Sequence, residues 1–204
     1  MRKKSPQVAL ERFRHVVGEV RDFIAAVAAD GANGQIKARC YDHAVIWTYR
    51  AFEEFVLDIL VAQINKDPSH LYDNVGVRFG ANPTVAQCEY LLVGDRYFDF
   101  RGHSGLVVFV KKVSPANSAL ETAVKDAERR KAFEILVGLR NYVSHESDQS
   151  KVAALRAMRH WEPNRKNLGS AGQWLRVQKQ GQTRLERLFS KLDELAESMK
   201  EALA

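Results

Sequence analysis

Arginine and histidine stand five positions apart in the run Arg140-Asn141-Tyr142-Val143-Ser144-His145. The pair suits one reaction, the breaking of an RNA phosphodiester by its own neighbouring hydroxyl. Histidine titrates near neutrality and can accept the 2′-hydroxyl proton, while a guanidinium grips phosphate oxygens in a fork and stabilises the charge that grows in the transition state. The products are a 2′,3′-cyclic phosphate and a 5′-hydroxyl end, and neither metal nor cofactor is required. The same residues also describe a surface arginine beside a histidine that complements the negative end of a helix. Spacing alone does not separate the two readings.

Other catalytic signatures are missing. The sequence has no phosphate-cradling glycine loop ending in Gly-Lys-Ser/Thr, no nucleophile elbow and no His-Glu-x-x-His. Spaced carboxylates of the kind that hold divalent cations are also lacking, so no metal site is expected. Cys40 and Cys88 are far apart with no zinc-ligand spacing and read as reduced structural thiols.

The elements that must position the pair are helical. Leu10, Phe13, Val17, Val20, Ile24 and Val27 recur at helical steps from Pro6 to about Ala29, and Asp30 to Gly34 form a stop and a turn. A second, central helix should run from about Gln35 to Asn65, apolar around most of its circumference and counting Trp47 among its apolar residues; it ends before Asp67-Pro68. The stretch from about 71 to 117 reads as a loop-rich insertion. It holds one short helix over Thr84–Val93, begun by Asn82-Pro83, and another over about Ser104–Val113. Leu106–Val110 is rich in β-branched residues and is also compatible with a strand. A third long helix spans about Ser118 to His145 and carries the Arg/His pair at its foot, with Gly138 allowing another backbone or a ligand to come close. A fourth begins at Ser147-Asp148 and reaches Trp161, followed by a polar loop to Gly181. The last helix, about 183–203, opens on the capping-box spelling Thr183-x-x-Glu186. Leu185, Leu188, Leu192, Leu195 and Met199 form a seam that either docks on the chain's own core or pairs two chains. The expected architecture is a single all-α domain over 1–204, an up-and-down bundle of four to five main helices.

The formal net charge of +6 leans towards a polyanionic partner. Basic residues concentrate near the C-terminus, where Arg156, Arg159, Arg165, Lys166, Arg176, Lys179, Arg184 and Arg187 face only Glu162 and Glu186, with Trp161 and Trp174 interleaved. Cations with exposed aromatic rings suit single-stranded RNA, although both tryptophans are equally at home in a core. Arg101 is a further candidate cation for the RNA, and Tyr142 and Ser144 are candidate substrate contacts by their nearness to His145, with packing an equal alternative for Tyr142. No stretch approaches the roughly 18 uninterrupted apolar residues of a membrane span, and no export signal is evident. The expected setting is cytoplasmic, without a membrane partner.

Gly138-Leu139-Arg140-Asn141-Tyr142-Val143-Ser144-His145 resembles the signature of HEPN domains, in which arginine, a following polar residue and histidine define the active site. Ala51-Phe52-Glu53-Glu54-Phe55-Val56, Arg96 to Gly102 and Gly172-Gln173-Trp174-Leu175 resemble the RiboL-PSP-HEPN branch, and the resemblance spans about residues 40 to 190. The stretch from Ser114 to Lys125 departs from that pattern. The resemblance implies an all-α HEPN-type bundle that forms a homodimer, with two Arg/His pairs meeting in a cleft. It further implies a metal-independent endoribonuclease, of a kind that acts as a toxin restrained by an antitoxin protein or in phage defence. Arg140 and His145 would be catalytic, Asn141 would orient the site, and Glu53 would hold Arg140. Glu54 competes for that role, and also lies one turn from Arg50.

Helix geometry sets a condition on all of this. Two positions five apart lie about 140° apart around the axis and about 7.5 Å along it. The pair therefore needs a loosened helix end, an arginine that reaches along the helix, or a facing pair from a second copy.

Overall fold

The computed structural model describes residues 3–78, 80 and 83–204. It is predominantly helical: α1 Pro6–Ala29, α2 Gly34–Lys66, α3 Ser69–Val75, α4 Val85–Val93, α5 His103–Val113, α6 Ala119–Lys125, α7 Ala127–His145, α8 Asp148–Met158, α9 Ala171–Leu175 and α10 Arg184–Glu201. Two short antiparallel strands, β1 Gln178–Lys179 and β2 Gln182–Thr183, stand just before α10. Among the described residues, no helix is long and apolar enough to cross a membrane.

Several boundaries have local causes. Asn33 accepts from the backbone N–H groups of Gln35 and Ile36, both at 3.0 Å, which starts α2. Thr84 and Gln87 form a complete capping box at the head of α4; Asn82, read from the sequence as part of that start, lies outside the described residues. Leu106–Val110 is helical, so the strand alternative is set aside. The single helix expected from about Ser118 to His145 is two helices, because Asp126 adopts an extended conformation (φ −53°, ψ 127°) between α6 and α7. Aspartate favours such a position before a helix start, and apolar periodicity on both sides of one residue conceals the break.

The chain divides into two compact units. The first takes the chain up to Phe13, Phe52–Ala127 and Glu194–Ala204; the second takes Arg14–Ala51 and Glu128–Asp193. In the first unit Phe13 meets Phe52 edge-on at 5.5 Å between ring centres, and α5 packs against α3 and α6. The buried carboxylate of Asp58 is compensated by Lys4 and, at 3.1 Å, by Arg12. The stretch 71–117 belongs wholly to this unit and carries α4 and α5.

The second unit holds α7, α8, α9 and the hairpin. A Cβ on Gly138 would lie 3.2 Å from Ala154 Cα and from Ala157 Cβ, so the close approach expected at this glycine is made by the backbone of α8. Gly172 is tighter still, since a Cβ there would fall 1.8 Å from the carbonyl oxygen of Ala38 on α2. The polar loop expected after Pro163 contains α9 and the hairpin. In α10, Leu185, Leu188, Leu192, Leu195 and Met199 are all buried within the chain, which favours docking over a two-chain seam.

Candidate functional site

Apolar burial holds α7 in place and brings its last two turns to the surface. Ile135, Leu136 and Leu139 are fully buried, Arg140, Asn141 and Tyr142 are half-buried, and Ser144 and His145 are exposed. The helix stays regular through His145. Glu146 N–H donates to the Tyr142 carbonyl at 2.9 Å, Glu146 turns left-handed (φ 46°), and Ser147 opens α8 with a reciprocal Ser147/Ser150 capping box.

The first of the three routes to convergence is therefore closed, because the helix does not loosen at His145. Nor does Arg140 extend along the axis. Its guanidinium lies over the ring of Tyr49 on α2, 4.7 Å from the ring centre, and its Nη1 donates to Asn141 Oδ1 at 2.9 Å. Tyr49 is buried, so the contact is largely shielded from water and sits near the strong end of cation–π attraction. Asn141 thus meets Arg140 directly, as a residue that orients it. Within one copy the Arg140 and His145 side chains depart about 140° apart from the same helix.

Around the foot of α7 lie Asp42 and the Gly169 carbonyl, groups that the sequence did not single out. The Tyr142 hydroxyl donates to the Gly169 carbonyl at 2.8 Å and fixes the loop that leads into α9. Burial raises the pKa of this phenol, and the negative charges of Glu146 and Asp42 raise it further. Asp42 on α2 accepts from Gly172 N–H at 2.6 Å. Its carboxyl is pushed above the usual aspartate value by burial, with Glu146 adding to the effect and the Gly172 bond, His43 and Arg39 opposing it. The end of α7 is thus acidic on the Asp42 side and cationic at Arg140.

The other sequence-derived candidates separate by what they touch. Glu53, half-buried, and Glu54, exposed, stand on the part of α2 assigned to the first unit, as does Arg101, whose Nε lies 4.0 Å from Asp99. Trp174 is not a stacking surface: it is 1% exposed, its indole N–H donates to Glu162 at 3.0 Å, and it is a core residue. Arg159, Arg165 and Arg176 spend donors on backbone carbonyls, those of Arg165, Asn167 and Gly34 respectively. They brace the loop and the start of α2. Lys166 is exposed.

One aromatic runs the other way. Trp47 is 41% exposed, and Arg39, His43, Trp47 and Arg50 follow one another at steps of four, four and three along the outer face of α2. Apolar counting had placed Trp47 inside, because α2 is apolar almost all round. The flanking Arg39, His43 and Arg50 were the signal in the sequence that marks this face.

No protein-family model, no curated protein and no solved structure matches this chain.

Proposed function

We propose that this protein is a HEPN-type endoribonuclease whose reaction centre is assembled from Arg140 and His145 of two facing copies. The observation that carries the reading is the unequal treatment of the two side chains on α7. Arg140 is held in one orientation by Tyr49 and Asn141, as a group that stabilises transition-state charge must be. His145 ends the helix in solvent, where a proton acceptor can meet a substrate. Because the two diverge on a regular helix, the facing pair comes from a second copy of the chain.

In that site His145 takes the proton of the ribose 2′-hydroxyl. The freed oxygen attacks phosphorus, the bond to the 5′-oxygen breaks, and the second copy's protonated histidine supplies a proton to the leaving oxygen. Arg140 carries the charge on the non-bridging oxygens. Trp47 offers the approaching strand a ring to stack on, Arg39 a cation for its phosphates and His43 a ring N–H donor. The biological role that fits is an effector that cleaves cellular RNA until a partner protein restrains it, as in toxin–antitoxin or phage-defence systems.

Purified protein and its His145→Ala and Arg140→Ala variants, incubated with total RNA in EDTA, test this. The wild type should leave 2′,3′-cyclic phosphate ends and both variants should not. Equal cleavage by all three, or none by any, overturns it. A second reading has one observation in its favour, that Arg140 and His145 diverge on a helix that stays regular to its end, so a single copy brings no catalytic pair together. On that reading the chain is a HEPN module that binds RNA or a partner protein without cutting, and binding without new ends is its signature.

A further inference from the structure

The second unit contains a cavity of about 160 Å³ between the end of α8, the β1–β2 hairpin and the start of α10. At about 30 Å³ per water it has room for roughly five waters, and a phosphate group has the same number of heavy atoms. Its walls carry three cations, Lys179, Arg184 and Arg187, against one carboxylate, Glu162.

Glu162 does not neutralise this set. It is bonded by Arg184, by the Trp174 indole N–H at 3.0 Å and by Arg165 at 3.4 Å. Burial drives its pKa up, but the Trp174 bond and the Arg184 charge outweigh this and hold the carboxyl below its usual value. Arg184 and Arg165 are thus matched. Lys179 and Arg187 have no ion pair among the described residues, and they remain as the cavity's unneutralised charges.

Arg187 is also preorganised. Its guanidinium lies 4.3 Å from the centre of the Trp161 ring, Trp161 stacks on Trp174 at 6.0 Å and 27°, and Arg184 lies 5.0 Å over Trp174. This cation–indole stack fixes the fork and leaves its N–H donors open, since Arg187 makes no hydrogen bond among the described residues. The hairpin sets the opposite wall. Gln180 (φ 56°) and Gly181 (φ 82°) form a two-residue turn with both φ values positive, which pairs Lys179 with Gln182. Gln180, Gln182 and Thr183 add amide and hydroxyl donors.

We infer that this cavity binds a phosphate group, gripped by Arg187 and Lys179 and hydrogen-bonded by the hairpin amides. The inference does not depend on cleavage at Arg140 and His145. Inorganic phosphate is titrated into the full chain by calorimetry, with the Lys179→Ala, Arg187→Gln and double variants alongside and Arg130→Ala, whose guanidinium is paired with Glu134, as control. Saturable binding should weaken by about tenfold or more in the double variant and by an intermediate factor in Lys179→Ala, whose exposed side chain supports no core. Arg130→Ala should bind as the wild type does. Unsaturable binding, or equal affinity in wild type and double variant, overturns the inference, as does a loss confined to Arg187→Gln and accompanied by a lower Tm. Oligoribonucleotides with and without a 5′-phosphate, bound to the His145→Ala chain, separate the sources. An advantage of the phosphorylated strand that vanishes in the double variant assigns the site to a terminal phosphate, and equal losses for both strands assign it to the RNA backbone.

Discussion

Replacing Tyr49 by leucine removes the ring over which Arg140 is held while leaving its charge and its bond to Asn141 in place. The guanidinium is 4.7 Å from the ring centre, inside the roughly 6 Å range of the attraction, and the ring is only 4% exposed. Shielded contacts of this kind are worth about 2 kcal/mol, against about 0.5 to 1 kcal/mol for exposed ones. At about 1.4 kcal/mol per factor of ten, complete loss of that positioning slows the chemical step about thirtyfold, and partial retention through Asn141 reduces the effect to a few fold. Cleavage of a fluorogenic RNA, with kcat and KM resolved and each variant assayed well below its Tm, reads this directly. The fall should lie in kcat, because Arg140 acts on charge that develops in the transition state. Tyr49→Phe keeps the ring face and should retain most of the rate. A folded Tyr49→Leu chain cutting at the wild-type rate, or a Phe variant falling as far as the Leu variant, refutes the assignment of Tyr49 as the positioning residue.

Other consequences are measurable separately. Gly138→Ala introduces a methyl 3.2 Å from the α8 backbone at Ala154, and overpacking of this kind costs about 1 to 3 kcal/mol, visible as a lower urea midpoint. Asp42 has a pKa raised in the fold, so the folded chain binds the proton more tightly than the unfolded one, and its contribution to stability falls as pH rises through the folded value. Asp42→Asn keeps an acceptor for Gly172 and should be the more stable chain at pH 7. Urea titrations should show that difference shrinking to nothing below the ordinary aspartate range; a difference independent of pH contradicts the sign. Trp47→Ala should weaken binding of a single-stranded oligoribonucleotide by the roughly 1 to 3 kcal/mol of one stacked base, while binding that survives unchanged in fluorescence anisotropy removes Trp47 from the interface.

The helices were legible where burial has a period. Pro6 and Ala29 bound α1 as the apolar spacing indicated, and the Ser147 and Thr183 starts were spelled in residues whose side chains do cap. The break at Asp126 was not legible, because one extended residue leaves the apolar register on either side nearly intact. α9 was hidden for a different reason. It is five residues long, too short for a period, and its existence depends on tertiary events: Gly172 fits against the Ala38 carbonyl, and Asp42 takes the Gly172 N–H.

The basic C-terminal region shows why the candidate surface was harder to read than the fold. Composition counts Arg159, Arg165, Arg176, Arg184 and Arg187 as equivalent charges, yet their donors have different fates. Three bind backbone carbonyls of the loop and of α2, and Arg184 is spent on Glu162 and the Trp174 carbonyl. An arginine so engaged offers less to a phosphate, because a new acceptor must displace an existing one at the cost of a hydrogen bond. Arg187 differs because its partner is an indole face, which attracts the cation without consuming its N–H donors. Arg140 stands between these cases, with Tyr49 taking a face and Asn141 taking one donor, so most of its fork stays available. The same arithmetic of occupied and open donors applies at both places. Among these six arginines it leaves Arg140 and Arg187 as the ones through which a phosphate group is most readily held.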